Sequence, residues 1–242
     1  MRDESRQAYF DCASGASGEM ILGALISAGL LEADLRDVVA PLAEGAAFDL
    51  TIRDVQKGPV AAIEVRIDGR GTSRIERLDD MLDLLRDARI APATQTRAAN
   101  VLKRLATAAA RHAGERPQDL VFAGTSGVEG VVTAVAVIGS LNSLEVREVY
   151  ASPVNLGAAN PVVHTLLAGV PTYSDMSGVP LVTPLGAALL AELAVEWPAS
   201  PPFAGGEIGH GAGRRDLPRP NVMRCFLGYG TIPAPLTRSG EE

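Results

Sequence analysis

Apolar and polar positions change period several times along the chain, and each change marks an element. Residues 8–13 are mostly apolar and read as a strand. The run then breaks at Ser14, Gly15, Ser17 and Gly18, after which residues 20–30 repeat apolar side chains at helical spacing. The order is strand, tight loop, helix N-terminus, and Gly15 and Gly18 permit backbone angles or close approaches that a side chain would block. Residues 32–43 carry Leu35, Val38, Val39 and Leu42 on one face and read as a second helix. Residues 48–55 and 60–67 alternate in the manner of strands around Lys57-Gly58-Pro59, which predicts a hairpin.

The polar segment 68–74 is a connector that suggests an N-terminal lobe, residues 1–70, before a main α/β lobe, residues 71–232. Leu78, Met81, Leu82 and Leu85 face away from Asp79, Asp80, Asp83 and Asp87, an amphipathic helix with a solvated acidic side. A longer helix covers residues 93–112, with Val101, Leu105 and Ala108 inward and His112 in the last turn before Gly114, where the helix dipole favours a cation. Residues 121–127 read as a second strand-to-loop passage before an apolar helix, 128–144, with Ser126 and Glu129 in capping-box relation. A strand over 146–152 follows. Thr183 before Pro184 is a helix N-cap followed by the favoured first residue. Residues 205–216 read as a Gly-rich loop holding His210, Arg214 and Arg215, residues 222–227 as a closing strand, and residues 233–242 as a disordered tail. The fold class is α/β (α+β): a layered mixed sheet with helices, much of it parallel, with the Gly-rich strand-loop-helix at its N-terminus.

Composition narrows the function classes. Hydrophobic residues make up 47%, enough for a sizeable core in 242 residues, and no apolar run reaches the roughly 20 residues that span a bilayer. The polar N-terminus, with no signal-peptide core behind it, and two cysteines far apart in sequence, Cys12 and Cys225, predict a cytoplasmic protein with buried thiols. A net charge of −7, with 29 acidic and 22 basic residues and only 4% aromatics, argues against nucleic acid as a partner. No membrane partner is expected.

The loop at residues 14–18 aims unpaired N–H groups at whatever lies over it, which suits a phosphate; Ser17 as a plain cap and Gly15 as a plain turn explain the same residues. Asp11 stands at the carboxyl end of the first strand, where sheet enzymes bind ligands, or bonds the loop that follows. Glu19 suits the helix dipole and, beside a phosphate, would call for a cation between them. With His112, His164 and His210 the only histidines, a histidine-rich metal site needs distant residues to converge; His164 reads as a helix-start residue. His210 between glycines cannot be filling a core, and Arg214 and Arg215 could clamp an anion.

These pieces, in this order, resemble the LarC family of nickel-insertion proteins, which complete the nickel-pincer nucleotide cofactor of lactate racemase. Asp11-Cys12-Ala13-Ser14-Gly15-Ala16-Ser17-Gly18-Glu19-Met20 is similar to the family's D-C-x-S-G-x-S-G-D-M, and Leu181-Val182-Thr183-Pro184-Leu185-Gly186-Ala187-Ala188 to its L-V-T-P-T-G-A-A. The segment Ile208-Gly209-His210-Gly211-Ala212-Gly213-Arg214-Arg215-Asp216, with Arg219-Pro220-Asn221 and Arg224, is similar to G-x-G-A-G-x-R-D and R-P-N-x-x-R. The family's H-F-H-E-V-G-A-x-D-S-I-x-D-I segment is altered: only Glu129 keeps a carboxylate, and Ala123 and Thr133 replace metal-ligand types.

The resemblance implies nickel insertion into a pyridinium-dithiocarboxylate mononucleotide, with nickel, or magnesium or manganese, as the metals involved. It implies a phosphate-bearing small molecule, a separate CTP-binding subunit and a homo-oligomer as partners. Asp11, Glu19 and Glu129 are the candidate catalytic residues, and Ser14, Gly15, Ser17, Gly18, Thr183, His210, Arg214 and Arg215 the candidate ligand-binding ones; no metal ligands are assigned. The alternatives are a non-catalytic nucleotide-binding or scaffold paralogue without the metal site, and an unrelated enzyme using Asp11, Glu19 and His210 as acid–base groups.

Overall fold

The computed structural model describes residues 5–71, 75–124, 126–158, 160–175 and 178–230. Among these, β1 (Arg6–Asp11) leads into α1 (Gly18–Ser27) and α2 (Glu32–Val39), and a 3₁₀ turn (Ala40–Glu44) completes the span predicted as one helix. The hairpin β2 (Phe48–Lys57) and β3 (Val60–Gly69) follows, then α3 (Leu78–Asp87), α4 (Pro92–Ala113) and α5 (Ser126–Ser143). After β4 (Val146–Ala151) come β5 (Val154–Asn155), α6 (Pro161–Leu166), β6 (Thr172–Tyr173), α7 (Pro184–Leu193), β7 (Ala194–Glu196), β8 (Ala204–Ala212) and β9 (Val222–Tyr229).

Seven strands form one mixed sheet in the order β2-β3-β8-β9-β1-β4-β7. The pairs β1–β4, β4–β7 and β3–β8 are parallel; β2–β3, β8–β9 and β1–β9 are antiparallel. Alternation along the strands assigns the two faces. Ala8 and Phe10 of β1, Val65 and Ile67 of β3, and Met223, Cys225 and Leu227 of β9 join residues from all seven helices in one core, so the helices stack on one face. Their neighbours Tyr9, Tyr150 and Phe226 pack with Phe203 on the other. Helix α5, the most apolar long helix, is buried along most of its length against this core. The predicted α/β layered fold is the one observed.

The Gly-rich segment read as a loop is instead mostly strand: β8 runs through Ala212 and carries His210 inside it. Its glycines serve packing. A Cβ on Gly209 would lie 2.0 Å from the Ala24 carbonyl oxygen, and one on Gly211 1.9 Å from that of Met20, so bare backbone lets α1 rest directly on the sheet. Residues 121–123 form no strand; Phe122 donates its N–H to the Glu76 carbonyl at 2.7 Å in an irregular segment and packs against the core. Ser126 lies inside α5 rather than before it, and Glu129 accepts from the Gly69 N–H at 3.2 Å. On α3, Leu84 shares the buried face and Leu82 is only partly covered. The tail expectation for 233–242 lies outside the described residues.

Candidate functional site: a cleft at two helix N-termini

Two loops far apart in sequence are joined side by side. Ala16 and Val182 form a parallel bridge, in which Ala16 donates its N–H to the Leu181 carbonyl at 3.1 Å and Thr183 donates to the Ala16 carbonyl at 2.9 Å. This junction depends on glycine. Gly15 sits at φ +84° and a Cβ there would meet the Leu181 carbonyl oxygen at 2.0 Å; a Cβ on Gly186 would meet that of Ala16 at 2.5 Å. Gly18 has a Cβ position filled by the Thr133 methyl at 2.2 Å.

Because the loops are joined, α1 and α7 begin next to each other. Ser17 accepts from the Met20 N–H at 3.1 Å and Thr183 from the Gly186 N–H at 3.0 Å, so each hydroxyl caps its own helix. The N–H groups ahead of the capped ones, Gly18 and Glu19 in α1 and Leu185 in α7, belong to the set with no partner inside a helix, and each terminus adds about half a positive charge. Both starts line a cleft of about 440 Å³ that also takes in Glu19, Asn160, Pro180, Arg214, Arg215 and Asn221.

The two arginines are held differently. Arg215 donates to the Pro180 carbonyl at 2.7 Å, which fixes it at the rim. Arg214 bridges Glu19 at 3.1 Å and Asp68 at 3.6 Å, a half-exposed arrangement that an incoming anion could share or displace. Asn221 braces the segment by donating to the Arg215 carbonyl at 3.0 Å. The cleft therefore offers backbone donors, two guanidinium groups and one carboxylate, a set suited to a phosphate and to a cation shared with Glu19.

Of the predicted ligand-binding residues, Ser17, Thr183, Arg214 and Arg215 line this cleft together with Glu19, while Gly15 and Gly18 shape it from behind. Ser14 donates to the Pro220 carbonyl at 3.2 Å and ties the first loop to the segment after β8. Glu129 lies behind the wall, on the Gly69 amide next to Asp68. Asp11 and His210 are on the face away from the helices, in one row across three strands: His210 pairs in register with Arg224, and Arg224 with Asp11. There Arg224 Nε donates to Asp11 Oδ2 at 2.9 Å and its guanidinium lies 5.6 Å from the Phe226 ring centroid. Asp11 also accepts from the Ala13 N–H at 3.0 Å, the loop-bracing role foreseen for a residue in that place.

Around this row Arg219 pairs with Asp175 and donates to the Ala13 carbonyl at 3.3 Å. Burial, with the Asp11 charge second, pushes the Tyr173 phenol up, and the same two causes in the same order push the buried Cys12 thiol up. Cys225, like Cys12, is a buried free thiol. Asn160 and Asn221 line the cleft although neither was a candidate site residue from sequence, and Asp68 reaches it only through Arg214. Asn160 had a readable signal, since Asn before Pro161 repeats the cap-and-proline start of Thr183-Pro184, and it accepts from the Val163 N–H at 3.0 Å.

The family description "Nickel insertion protein" matches residues 8–241. A Nocardioides sp. protein named pyridinium-3,5-bisthiocarboxylic acid mononucleotide nickel insertion protein is 34% identical over 237 residues, covering 91% of this chain and 59% of its own length. Proteins from Desulfotalea psychrophila (32% identical, 93% of this chain, 61% of theirs) and Roseiflexus castenholzii (33%, 92% and 59%) are assigned provisionally to nickel insertion by name. The chain thus spans about three fifths of the curated relatives it matches. No solved structure matches it. A family match over nearly the whole chain and a relative 34% identical over 91% of it lead to one assignment: the chain belongs to the nickel insertion protein family.

Proposed function

We propose that this chain binds a pyridinium mononucleotide and presents it for nickel insertion, with nickel as a substrate of the reaction. The observation that carries this reading is the joining of α1 and α7 through Ala16 and Val182, which aims two helix N-termini into one cleft with Arg214 and Arg215. The nucleotide's phosphate would take the backbone donors and displace Glu19 from Arg214, or share a cation with it. A separate CTP-binding subunit belongs to the same reading. The name of the Nocardioides relative supports the choice of ligand.

A second reading, a nucleotide-binding or scaffold paralogue without metal chemistry, draws on Thr133. Where the resemblance places a carboxylate, Thr133 is buried with its methyl against Gly18 and leaves no room for a ligand. Titration calorimetry with nicotinic acid mononucleotide and with its dephosphorylated nucleoside tests the cleft. The nucleotide should bind more tightly than the nucleoside, and Arg214→Ala or Arg215→Ala should weaken it by about 10- to 100-fold, the loss of a hydrogen bond to a charged group. Equal affinities for nucleotide and nucleoside would contradict the assignment. A subsequent nickel-transfer assay with the CTP-binding partner separates the two readings: product formation supports insertion, and its absence supports the scaffold.

A further inference from the structure

Two of the chain's three histidines, far apart in sequence, line a second cleft. It has a volume of about 460 Å³ and lies where the end of α4 packs on α6, lined by Arg111, His112, Pro161, His164, Thr165 and Ala168. Both imidazoles are exposed. His112 Nε2 is 2.8 Å from the Thr165 hydroxyl, which orients the ring and leaves Nδ1 for a ligand. The site is at the C-terminal end of α4, capped by Gly114 in the left-handed conformation at φ +73°, where helix carbonyls favour a cation. It adjoins the nucleotide cleft through one turn of chain, since Asn160 lines the first cleft and Pro161 the second.

We propose that His112 and His164 form a two-imidazole site for a divalent transition-metal ion of the nickel class, held there before transfer. Imidazole suits nickel, copper and zinc, and nickel stands high in the order of divalent affinities. Two protein donors leave the rest of the coordination shell to water or to an incoming ligand, which fits a site that must release its metal. Arg111 opposes the bound cation, so the pair binds with restrained affinity. The staging role rests on the proposed nickel insertion; metal binding itself does not.

The test is calorimetric titration of the full chain with nickel chloride, without nucleotide. About one nickel per chain should bind, and His112→Ala and His164→Ala should each weaken binding at least about tenfold, no less than the loss of a group that merely orients a ligand. Thr165→Val should weaken it less, and Arg111→Ala should tighten it. Far-UV circular dichroism confirms that each variant folds, and pulsed electron paramagnetic resonance with Cu²⁺ in place of nickel should show two imidazole nitrogens that become one in either alanine variant. Unchanged nickel affinity in both histidine variants overturns the proposal. So does weaker nickel binding in Arg111→Ala, or inorganic phosphate binding that this variant abolishes, because those mark an anion site. Failure here leaves the mononucleotide titration untouched, and failure of that titration leaves this site standing as a metal site.

Discussion

Replacing Gly211 by alanine adds one methyl group where the structure has no room for it. The new Cβ would stand 1.9 Å from the Met20 carbonyl oxygen and 2.5 Å from the Ala24 nitrogen, both backbone atoms of α1 that cannot rotate away. Restoring an ordinary contact requires α1 to lift by about 1.5 Å from the sheet, out of the close seating also seen at Gly23, where an added Cβ would stand 2.3 Å from the Ile63 carbonyl oxygen. Overpacking of this kind costs about 1–3 kcal/mol, and a backbone-to-backbone clash belongs at the upper end. For a chain of this size about 3 kcal/mol lowers the melting temperature by roughly 6–12 °C. Urea and thermal unfolding followed by circular dichroism measure it, and the mononucleotide affinity should fall as well because the lifted helix carries Ser17 and Glu19. Gly130→Ala is the control of opposite sign: its Cβ meets only Leu102 at 3.7 Å inside α5, so it should stabilise by up to about 1 kcal/mol. A Gly211→Ala protein within about 0.5 kcal/mol of the parent would refute the direct seating of α1 on β8.

Thr183→Ala and Ser17→Ala each remove a helix cap and should cost about 1 kcal/mol in urea unfolding. Asp11→Asn breaks a partly exposed ion pair with Arg224 but keeps an acceptor for the Ala13 N–H, so its unfolding midpoint should move by less than about 1 kcal/mol. Both thiols are buried and pushed up by desolvation, so the folded state holds their protons longer than the unfolded state, whose thiols titrate near pH 8.5. Their contribution is complete below that pH and is lost as pH rises from there toward the folded values, at about 1.4 kcal/mol per pH unit per thiol; urea midpoints at pH 7.5, 9 and 10 read the slope. Iodoacetamide should alkylate neither cysteine in the folded protein at about pH 8.5.

Elements whose signals are local were legible in the sequence. Ser17 and Thr183-Pro184 mark helix starts because cap and proline chemistry act within one turn, and the alternation around Lys57-Gly58-Pro59 gave the hairpin. What depends on a distant partner was not. Gly209 and Gly211 look the same in a loop and in a strand beneath a helix, and only α1 lying across them decides between the two. Ser126 and Glu129 fit a capping template by spacing, yet the carboxylate bonds Gly69, sixty positions away. The Ala16–Val182 bridge, which turns two separate helix starts into one cleft, and the meeting of His112 with Thr165 beside His164 have no local sequence signature. His210 and Arg214 are close in sequence but reach opposite faces, because β8 ends between them and the chain turns toward α1.

The most direct test of the central claim is a crystal structure of the chain with a pyridinium mononucleotide. The account predicts phosphate density between the starts of α1 and α7, within hydrogen-bond reach of the Gly18 or Glu19 amide and of Arg214 or Arg215. A nucleotide bound elsewhere, with Glu19 still paired to Arg214 and the cleft holding only water, would contradict it.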